Sequence, residues 1–276
     1  MQVEGVNGVT LEVLDLAPEN GAPLVLIHGH GGAKEDFSDH FDALCASRRV
    51  IALDLRGHGD SAKPDDGSAY SLDLMAADVL AVADALGVDR FDLLGHSMGG
   101  MVARRIALSA PSRVAALIFM DTCAGPLPGY EQEVIELGAE IAMSQGMDEI
   151  KRILDAMNVD EDGPAGRLLE RRPDYRAFND WKFSRVSAAM WATMLREMFS
   201  QPDQLADLAQ VDVPTLVMVG EADTPFRAPS AEIANAIPTA TLQVIADAAH
   251  APQFENPDAW IAVLEAFLAE LPRTHT

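Results

Sequence analysis

Residues 91–100 read FDLLGHSMGG. The apolar run Phe91–Leu94 predicts a buried strand, and Met98–Ser109 predicts a helix. The G-x-S-x-G pattern between them places Ser97 at a sharp turn from strand to helix, which pushes its hydroxyl out of the sheet. The helix that follows points its first N–H groups at the same place. Ser97 is therefore the candidate nucleophile, and the alternative is a serine that only caps the helix.

Short apolar runs continue on both sides of this turn, and helical patterns separate them. The other predicted strands are Thr10–Leu14, Pro23–Ile27, Val50–Leu53, Val114–Met120, Thr215–Val219 and Thr241–Ile245. The other predicted helices of this region are Ala33–Ala46, one opened by Ser71, Ser230–Ile237 and Pro257–Leu271. Strands that are apolar on both faces and alternate with helices predict an α/β fold, with a mostly parallel central sheet flanked by helices.

The alternation stops between residues 125 and 210, where no strand pattern occurs. The helical stretches there are Glu131–Gln145, Met147–Asn158, Arg167–Glu170 and Ser184–Phe199. We therefore expect an α/β core made of residues 1–124 and 211–276, interrupted by an inserted helical lid over residues 125–210.

The charge of the chain excludes some classes of partner. Its 276 residues include 20 Lys and Arg against 43 Asp and Glu, for a formal charge of −23. Such a surface disfavours binding to nucleic acid or to anionic lipid. Cys45 and Cys123 are too few for a disulfide framework and are interpreted as packed thiols. The first residues lack the pattern of a secretory signal, and no apolar run reaches the roughly 18 residues of a transmembrane helix. The expected location is the cytoplasm.

The whole chain resembles the α/β-hydrolase-fold enzymes that carry a helical lid. The resemblance rests on the turn at Ser97 and on four other places. These are HGHGG at 28–32, DLRGHGDS at 54–61, GEAD at 220–223, and His250. The resemblance implies an active site in the chain order Ser, acid, His.

A serine hydroxyl is a weak nucleophile without a base and a group that orients the base. His250, in the loop after the last predicted strand, is the candidate base. Asp223 lies in the turn where the family places its acid. Its rivals are Asp121, at the end of the strand after the nucleophile helix, and Glu221.

The resemblance also assigns the oxyanion hole, which needs two backbone N–H groups. These belong to Met98, which follows the nucleophile, and to His30 in the first loop. The His30 side chain either lines the pocket mouth or faces solvent. His28 and His58 are interpreted as loop hydrogen-bonding residues, and His96 as packing beside the nucleophile without taking its proton.

The lid offers one apolar helix face with Met190, Trp191 and Met194 at helical spacing. It either packs within the lid or covers a substrate pocket, for which Gly29 in the first loop is a further candidate. Flexible methionines suit varied small apolar ligands. The sequence holds no metal-ligand spacing such as H-E-x-x-H or C-x-x-C, so we expect neither a metal nor a cofactor.

The expected function is a serine hydrolase acting on a small carboxylic ester or lactone through an acyl-enzyme. Relatives with the same machinery leave alternatives open. These are a carbon–carbon bond hydrolase, although HGHGG lacks the longer Pro-containing glycine run of those enzymes, a cofactor-free haloperoxidase or perhydrolase, and a ligand receptor with slow hydrolysis. The expected partner is a small molecule, and the expected state is a monomer or a small homo-oligomer.

Overall fold

The computed structural model describes residues 1–19, 21–157 and 163–271. Eight strands build one sheet. They are β1 (Gln2–Glu4), β2 (Thr10–Leu16), β3 (Pro23–Ile27), β4 (Arg49–Leu53), β5 (Phe91–His96), β6 (Val114–Met120), β7 (Thr215–Gly220) and β8 (Ala240–Ile245). Their order across the sheet is β1-β2-β4-β3-β5-β6-β7-β8.

The sheet is parallel from β4 to β8, and β2 runs antiparallel to both of its neighbours, β1 and β4. All residues of β5 and β7 are buried. A strand buried on both faces is apolar along most of its length, which is the pattern that predicted these strands. In β5, the buried polar residues Asp92 and His96 depart from it. The predicted fold class, an α/β hydrolase fold with a mostly parallel sheet, is confirmed.

Eleven helices flank or cap the sheet in the described part of the chain. They are α1 (Phe41–Cys45), α2 (Leu72–Ala85), α3 (Met98–Ser109), α4 (Gln132–Gln145), α5 (Met147–Met157), α6 (Pro164–Arg171), α7 (Tyr175–Phe183), α8 (Ala188–Ser200), α9 (Thr224–Ala236), α10 (Pro252–Glu255) and α11 (Pro257–Glu270). None of the helices in the described ranges is long and apolar enough to cross a membrane.

The predicted helix Ala33–Ala46 is wrong in its first half. Lys34–His40 forms a tighter 3₁₀ segment, and only α1 is an α-helix. The reason is tertiary. The backbone N–H of Lys34 donates to Asp54 Oδ1 at 2.8 Å, and the N–H of Ala33 donates to Asp36 Oδ2 at 3.2 Å. These carboxylates fix the first turn in a shape that the apolar spacing alone does not show.

The helices α4 to α8 all lie between β6 and β7 in the chain and within residues 125–210, and we call them the lid helices. Four correspond to predicted stretches, although the predicted end of the second, Asn158, lies outside the described residues. The sequence analysis missed α7, and α6 is longer than predicted. The sequence of α7, YRAFNDWKF, alternates aromatic and charged residues without a continuous apolar stripe.

Two glycines shape the turn between β5 and α3. A Cβ on Gly95 would lie 2.2 Å from the backbone oxygen of Gly99, and a Cβ on Gly99 would lie 2.4 Å from the oxygen of Ile27. Neither distance is possible for a side chain, so α3 packs directly on the sheet only because these residues are glycine. The close packing brings the start of α3 to the carboxyl ends of β3 and β5, where the loops of the sheet converge.

Candidate active site

Ser97 stands alone between β5 and α3 in a conformation that few residues adopt. Its φ is +53° and its ψ is −116°. The neighbouring strand holds this backbone, since Ser97 N–H donates to the Met120 oxygen at 2.8 Å and the Thr122 hydroxyl donates to the Ser97 oxygen at 2.7 Å. Strained residues of this kind cluster at functional sites, because the surrounding structure has to enforce them.

His250 lies in the loop between β8 and α10, and its ring connects two other candidates. The Ser97 hydroxyl donates to Nε2 at 3.0 Å, and Nδ1–H donates to Asp223 Oδ2 at 2.8 Å. The His250 side chain is 42% exposed, whereas that of Asp223 is 5% exposed. The structure therefore brings Ser97, His250 and Asp223 into one hydrogen-bonded chain that reaches solvent at the imidazole.

Asp223 immediately precedes α9. Burial raises the pKa of its carboxyl, but the hydrogen bond and the charge of His250 outweigh burial and bring that pKa below its ordinary value. Asp223 is thus ionised at neutral pH. An ionised acid at this position fixes the imidazole tautomer, with the proton on Nδ1 and a free lone pair on Nε2 facing the serine.

The two rival acids lie in different surroundings. Glu221 is exposed, and its carboxylate accepts the N–H of Asp247 at 3.3 Å. Asp121 follows β6 and is fully buried, with Oδ1 accepting the Gly220 N–H at 2.9 Å. The hydrogen bond of His250 Nδ1 goes to Asp223. Oxygens of Asp121 and Asp223 and a nitrogen of His250 nevertheless lie within 4.8 Å of one another.

The loop after β3 passes directly over the nucleophile. A Cβ on Gly29 would lie 3.1 Å from the Cβ of Ser97, so this loop approaches the serine as closely as a glycine permits. The next residue is His30, and Met98 is the first residue of α3. Among the hydrogen bonds of the described residues, none uses the backbone N–H of His30 or of Met98. Both groups are available to an oxyanion.

The His30 ring stacks on Trp191 of α8, with ring centroids 4.0 Å apart. It lies against the lid helices and does not project freely into solvent. Burial lowers the pKa of His30 to about 3, so the imidazole is neutral. Its Nε2 and the Trp191 Nε1 are buried and have no hydrogen-bond partner in the described part of the chain. The stack therefore joins α8 to a residue whose backbone N–H has no hydrogen-bond acceptor among the described residues.

The other lid candidates are more deeply packed. Met190 is fully buried, and its side chain would lie 2.5 Å from a Cβ on Gly57, so it fits against the loop after β4. Met194 is also fully buried. The six-membered ring of Trp191 would lie 2.9 Å from a Cβ on Gly31, next to His30. The structure thus brings Trp191 beside His30 in the loop after β3 and places Met190 against the loop after β4.

Three further histidines support these loops. Their pKa values are all lowered by burial, for His96 to about 3. His58 Nε2 accepts the Gly31 N–H at 3.2 Å, and His28 Nε2 accepts the Leu55 N–H at 3.0 Å. His96 Nε2–H donates to the His250 backbone oxygen at 2.7 Å. All three act as neutral hydrogen-bonding groups here.

The sequence analysis missed Glu255, which steadies the His250 loop. Its Oε2 accepts the N–H of Ala249 at 2.6 Å and of Ala251 at 3.2 Å, the two neighbours of His250. Burial raises the pKa of this carboxyl. The sequence does show an acid five residues after the candidate base. It does not show that the helical turn α10 brings the side chain of Glu255 back to the His250 loop.

A buried ion pair between the lid and the core was missed as well. Lys182 Nζ of α7 lies 2.7 Å from Asp36 Oδ1 in the loop after β3, and both side chains are nearly inaccessible. The two residues are 146 positions apart, so no local pattern could pair them. This contact holds the lid helices near the segment that carries Gly29 and His30.

Comparisons with known proteins agree with this arrangement. Residues 22–257 match the sequence pattern of the α/β hydrolase fold family. The 2-hydroxymuconate semialdehyde hydrolase of Pseudomonas putida is 32% identical over 266 residues, which are 93% of this chain and 90% of that protein. The non-heme chloroperoxidase of Streptomyces lividans is 29% identical over 269 residues, covering 91% of this chain and 95% of that protein.

A similar fold occurs in the solved structure of the enol-lactonase from Burkholderia xenovorans LB400. It has a TM-score of 0.86 and 26% sequence identity, and the match covers 98% of this chain and 100% of the enol-lactonase. The sheet, the strained turn and the polar groups gathered at the strand ends are those of a hydrolase. The chain belongs to the α/β hydrolase fold family.

Proposed function

We propose that the protein is a serine hydrolase that cleaves a small carboxylic ester or lactone through an acyl-enzyme intermediate. The observation that carries this proposal is the hydrogen-bonded chain from Ser97 through His250 to Asp223, at 3.0 and 2.8 Å. A hydroxyl, an imidazole and a carboxylate in this order are the groups that nucleophilic acyl transfer needs.

In the first half-reaction, Ser97 Oγ attacks the carbonyl carbon while His250 Nε2 takes the hydroxyl proton. The carbonyl oxygen becomes an oxyanion, which the N–H groups of His30 and Met98 stabilise. Collapse of this intermediate breaks the bond to the alcohol oxygen, which receives the proton from His250. An acyl-enzyme and a free alcohol result, or an acyl-enzyme with a tethered hydroxyl when the substrate is a lactone.

In the second half-reaction, a water molecule gives a proton to His250 and attacks the acyl carbon. The same two N–H groups stabilise the second oxyanion. His250 then returns the proton to Ser97 Oγ as the acid leaves. Asp223 stays ionised throughout and stabilises the imidazolium that forms in each half-reaction.

The surroundings of Ser97 support this substrate class. The loop after β3 approaches so closely that a Cβ on Gly29 would lie 3.1 Å from the Ser97 Cβ, and the rings of His30 and Trp191 stack at the next position of this loop. Close backbone and aromatic rings near the serine favour a compact apolar acyl group. Similarity to an enol-lactonase supports the inclusion of cyclic esters in this class.

The test is turnover of p-nitrophenyl esters from acetate to octanoate, and of simple lactones, by wild type and by Ser97→Ala. We expect turnover that falls by at least about a thousandfold in Ser97→Ala, because the residual catalysis of such sites comes only from the oxyanion hole and binding. Ser109→Ala, at the exposed end of the same helix, is the matched control and should keep wild-type rates. Equal turnover in wild type and Ser97→Ala would refute the proposal.

One relative favours a second candidate function. The 2-hydroxymuconate semialdehyde hydrolase is 32% identical to this chain. 2-Hydroxymuconate semialdehyde contains no ester, so a hydrolase that acts on it has to break a carbon–carbon bond. To test the second candidate directly, the protein is incubated with this compound and the decrease in the absorbance of the compound is measured. Its consumption without turnover of any ester or lactone would replace our first proposal with this one.

A further inference from the structure

Asp121 is a buried carboxyl group that the proposed reaction does not use. It follows β6 with a φ of +48°, a left-handed conformation that costs an aspartate free energy. Its side chain is completely inaccessible. A charged group in such a place requires compensating partners, because burial without them costs several kcal/mol.

The partners of Asp121 account for one oxygen only. Oδ1 accepts the Gly220 N–H at 2.9 Å, whereas Oδ2 is buried and receives no hydrogen bond from any N–H or hydroxyl donor of the described residues. Two groups lie within reach of this carboxyl, since an oxygen of Asp223 and a ring nitrogen of His250 are both within 4.8 Å of an Asp121 oxygen. His250 Nδ1–H donates to Asp223, so an ionised Asp121 would face a second carboxylate with no donor among the described residues on its own Oδ2.

Two carboxylates this close in a buried site hold one proton between them. The charged and titratable groups around the pair decide which acid carries it. Asp223 faces His250 and, further off, His96, and both favour its ionised form. Asp121 faces Asp223 and, further off, Glu255, and both of these disfavour its charge. The His250 ring also lies within 4.8 Å of Asp121, but its Nδ1–H is donated to Asp223. Burial and the neighbouring Asp223 raise the pKa of Asp121 well above its ordinary value. The proton therefore belongs on Asp121.

We propose that Asp121 is a neutral acid whose Oδ2–H donates a hydrogen bond to the Asp223 carboxylate, as a positioning residue behind Ser97, His250 and Asp223. This inference rests on the proposed function for its effect on the rate, although not for its protonation. The hydrogen bond fixes the rotation of the Asp223 carboxylate, so that Oδ2 of Asp223 faces His250. It also withdraws electron density from Asp223, which weakens the hold of the imidazolium on its proton.

The protonation state is tested by infrared spectroscopy at neutral pH, which needs no substrate. A protonated carboxyl shows a carbonyl stretch that ionised carboxylates lack. We expect wild type to show such a band and Asp121→Asn to lose it. Asp258→Asn, which removes an exposed carboxyl, is the matched control and should retain the band. An unchanged spectrum in Asp121→Asn would overturn the proposal, even if no substrate had been found.

The positioning role is tested by pH–rate profiles of Asp121→Asn and Asp121→Leu. Asparagine can accept from Gly220 and donate to Asp223, whereas leucine can do neither. The kcat of Asp121→Asn should therefore exceed that of Asp121→Leu by at least about tenfold, since a hydrogen bond to a charged group is worth about 1.5–3 kcal/mol. Leucine should move the midpoint of the profile to higher pH. If Asp121 were ionised, Asp121→Asn would instead remove a nearby negative charge and lower this midpoint by roughly one unit or more. That shift would overturn the proposal. Thermal unfolding of each variant shows whether a loss of activity comes only from a failure to fold.

Discussion

Glu255 shows how a single residue outside the reacting groups can determine their geometry. One of its oxygens accepts both backbone N–H groups that flank His250. The loop has no regular secondary structure of its own, so these two bonds help to hold the imidazole between Ser97 and Asp223, together with the bond from His96 Nε2–H to the His250 oxygen. The side chain acts as a clamp on the backbone and has no direct part in proton transfer.

We expect Glu255→Ala to lower both stability and kcat. Two backbone N–H groups lose their acceptor, at roughly 1–3 kcal/mol each where they remain buried. The loop then samples more positions, and kcat should fall about tenfold with a smaller change in KM. Glu255→Gln keeps an acceptor oxygen and should stay closer to wild type in both respects.

Steady-state kinetics and urea unfolding check this expectation. The control is Glu265→Ala, which removes an exposed acid from α11. Equal kcat in Glu255→Ala and Glu265→Ala would show that the loop keeps its position without the clamp.

At this scale, the sequence predicts which residues the structure brings together where the positions follow from local pattern. Ser97, His250 and Asp223 each lie in a turn that directly follows a strand, and turns after parallel strands converge at one edge of the sheet. Asp121 also follows a strand, but the sequence could not say whether it would bind His250, replace Asp223 or lie behind it. Those outcomes differ by small displacements of the Asp121 side chain, which only the packed structure defines.

Among the lid helices, α8 contacts the loops after β3 and β4. Its Trp191 stacks on His30, and its Met190 packs on Gly57. Just before the helix begins, the Ser187 N–H donates to the Gly57 oxygen at 2.8 Å. The helix is therefore a support for the two loops over the sheet. A change in the position of α8 would be transmitted to the His30 N–H.

Trp191→Ala should lower kcat by roughly tenfold, because His30 loses the surface that orients it; complete loss of an oxyanion donor costs about 10²–10³. Trp191→Phe, which keeps an aromatic face, should restore most of this loss. Arg196→Ala is the control on the same helix, since Arg196 pairs with Glu136 inside the lid. The measurement is kcat and KM on the best ester found. A rise in KM alone would mean that Trp191 contacts substrate without supporting the oxyanion hole.

The elements that sequence patterns missed share a cause. β1 has three residues and pairs only with β2 in the described sheet, which is too short for alternation to be detected. The aromatic rings of α7 stack on one another and on Phe254, so they serve contacts within the lid and with α10 and lack a single core-facing stripe. A strand this short and a helix whose rings serve several contacts both lack the periodic apolar pattern by which elements are predicted.

For the whole molecule, buried histidines link stability to pH. Burial lowers the pKa of His28, His30, His40, His58 and His96 below the ordinary 6.5. Below pH 6.5 the unfolded chain therefore binds protons that the folded protein does not, and stability falls. Burial raises the pKa of Asp121, Glu197 and Glu255, which has the opposite sign, but these are fewer.

We therefore expect the free energy of unfolding to decrease when the pH is lowered from about 7.5 to about 5.5, by up to about 1.4 kcal/mol per pH unit for each net proton taken up. Urea unfolding at several pH values in one salt concentration measures this slope. The ionised Asp54 and Asp223 do not alter the expected sign, because their lowered pKa values affect stability only at more acidic pH. Stability that is constant or rises on acidification would contradict the expectation.

The way in which the lid helices are inserted has a consequence for how this protein could acquire new substrates. They leave the core after β6 and return before β7, two strands that lie side by side, and a hydrogen bond of 2.9 Å from Gln204 N–H to the Ala124 oxygen joins the two ends of the excursion. A segment whose ends already meet can be exchanged as a cassette without stretching the sheet. Ser97, Asp223 and His250 all lie outside it, so a chimaera that carries the lid of a relative would inherit new selectivity with the old chemistry. Such a transplant has to bring its own counterparts of Trp191 and Lys182, because the first stacks on His30 and the second pairs with Asp36.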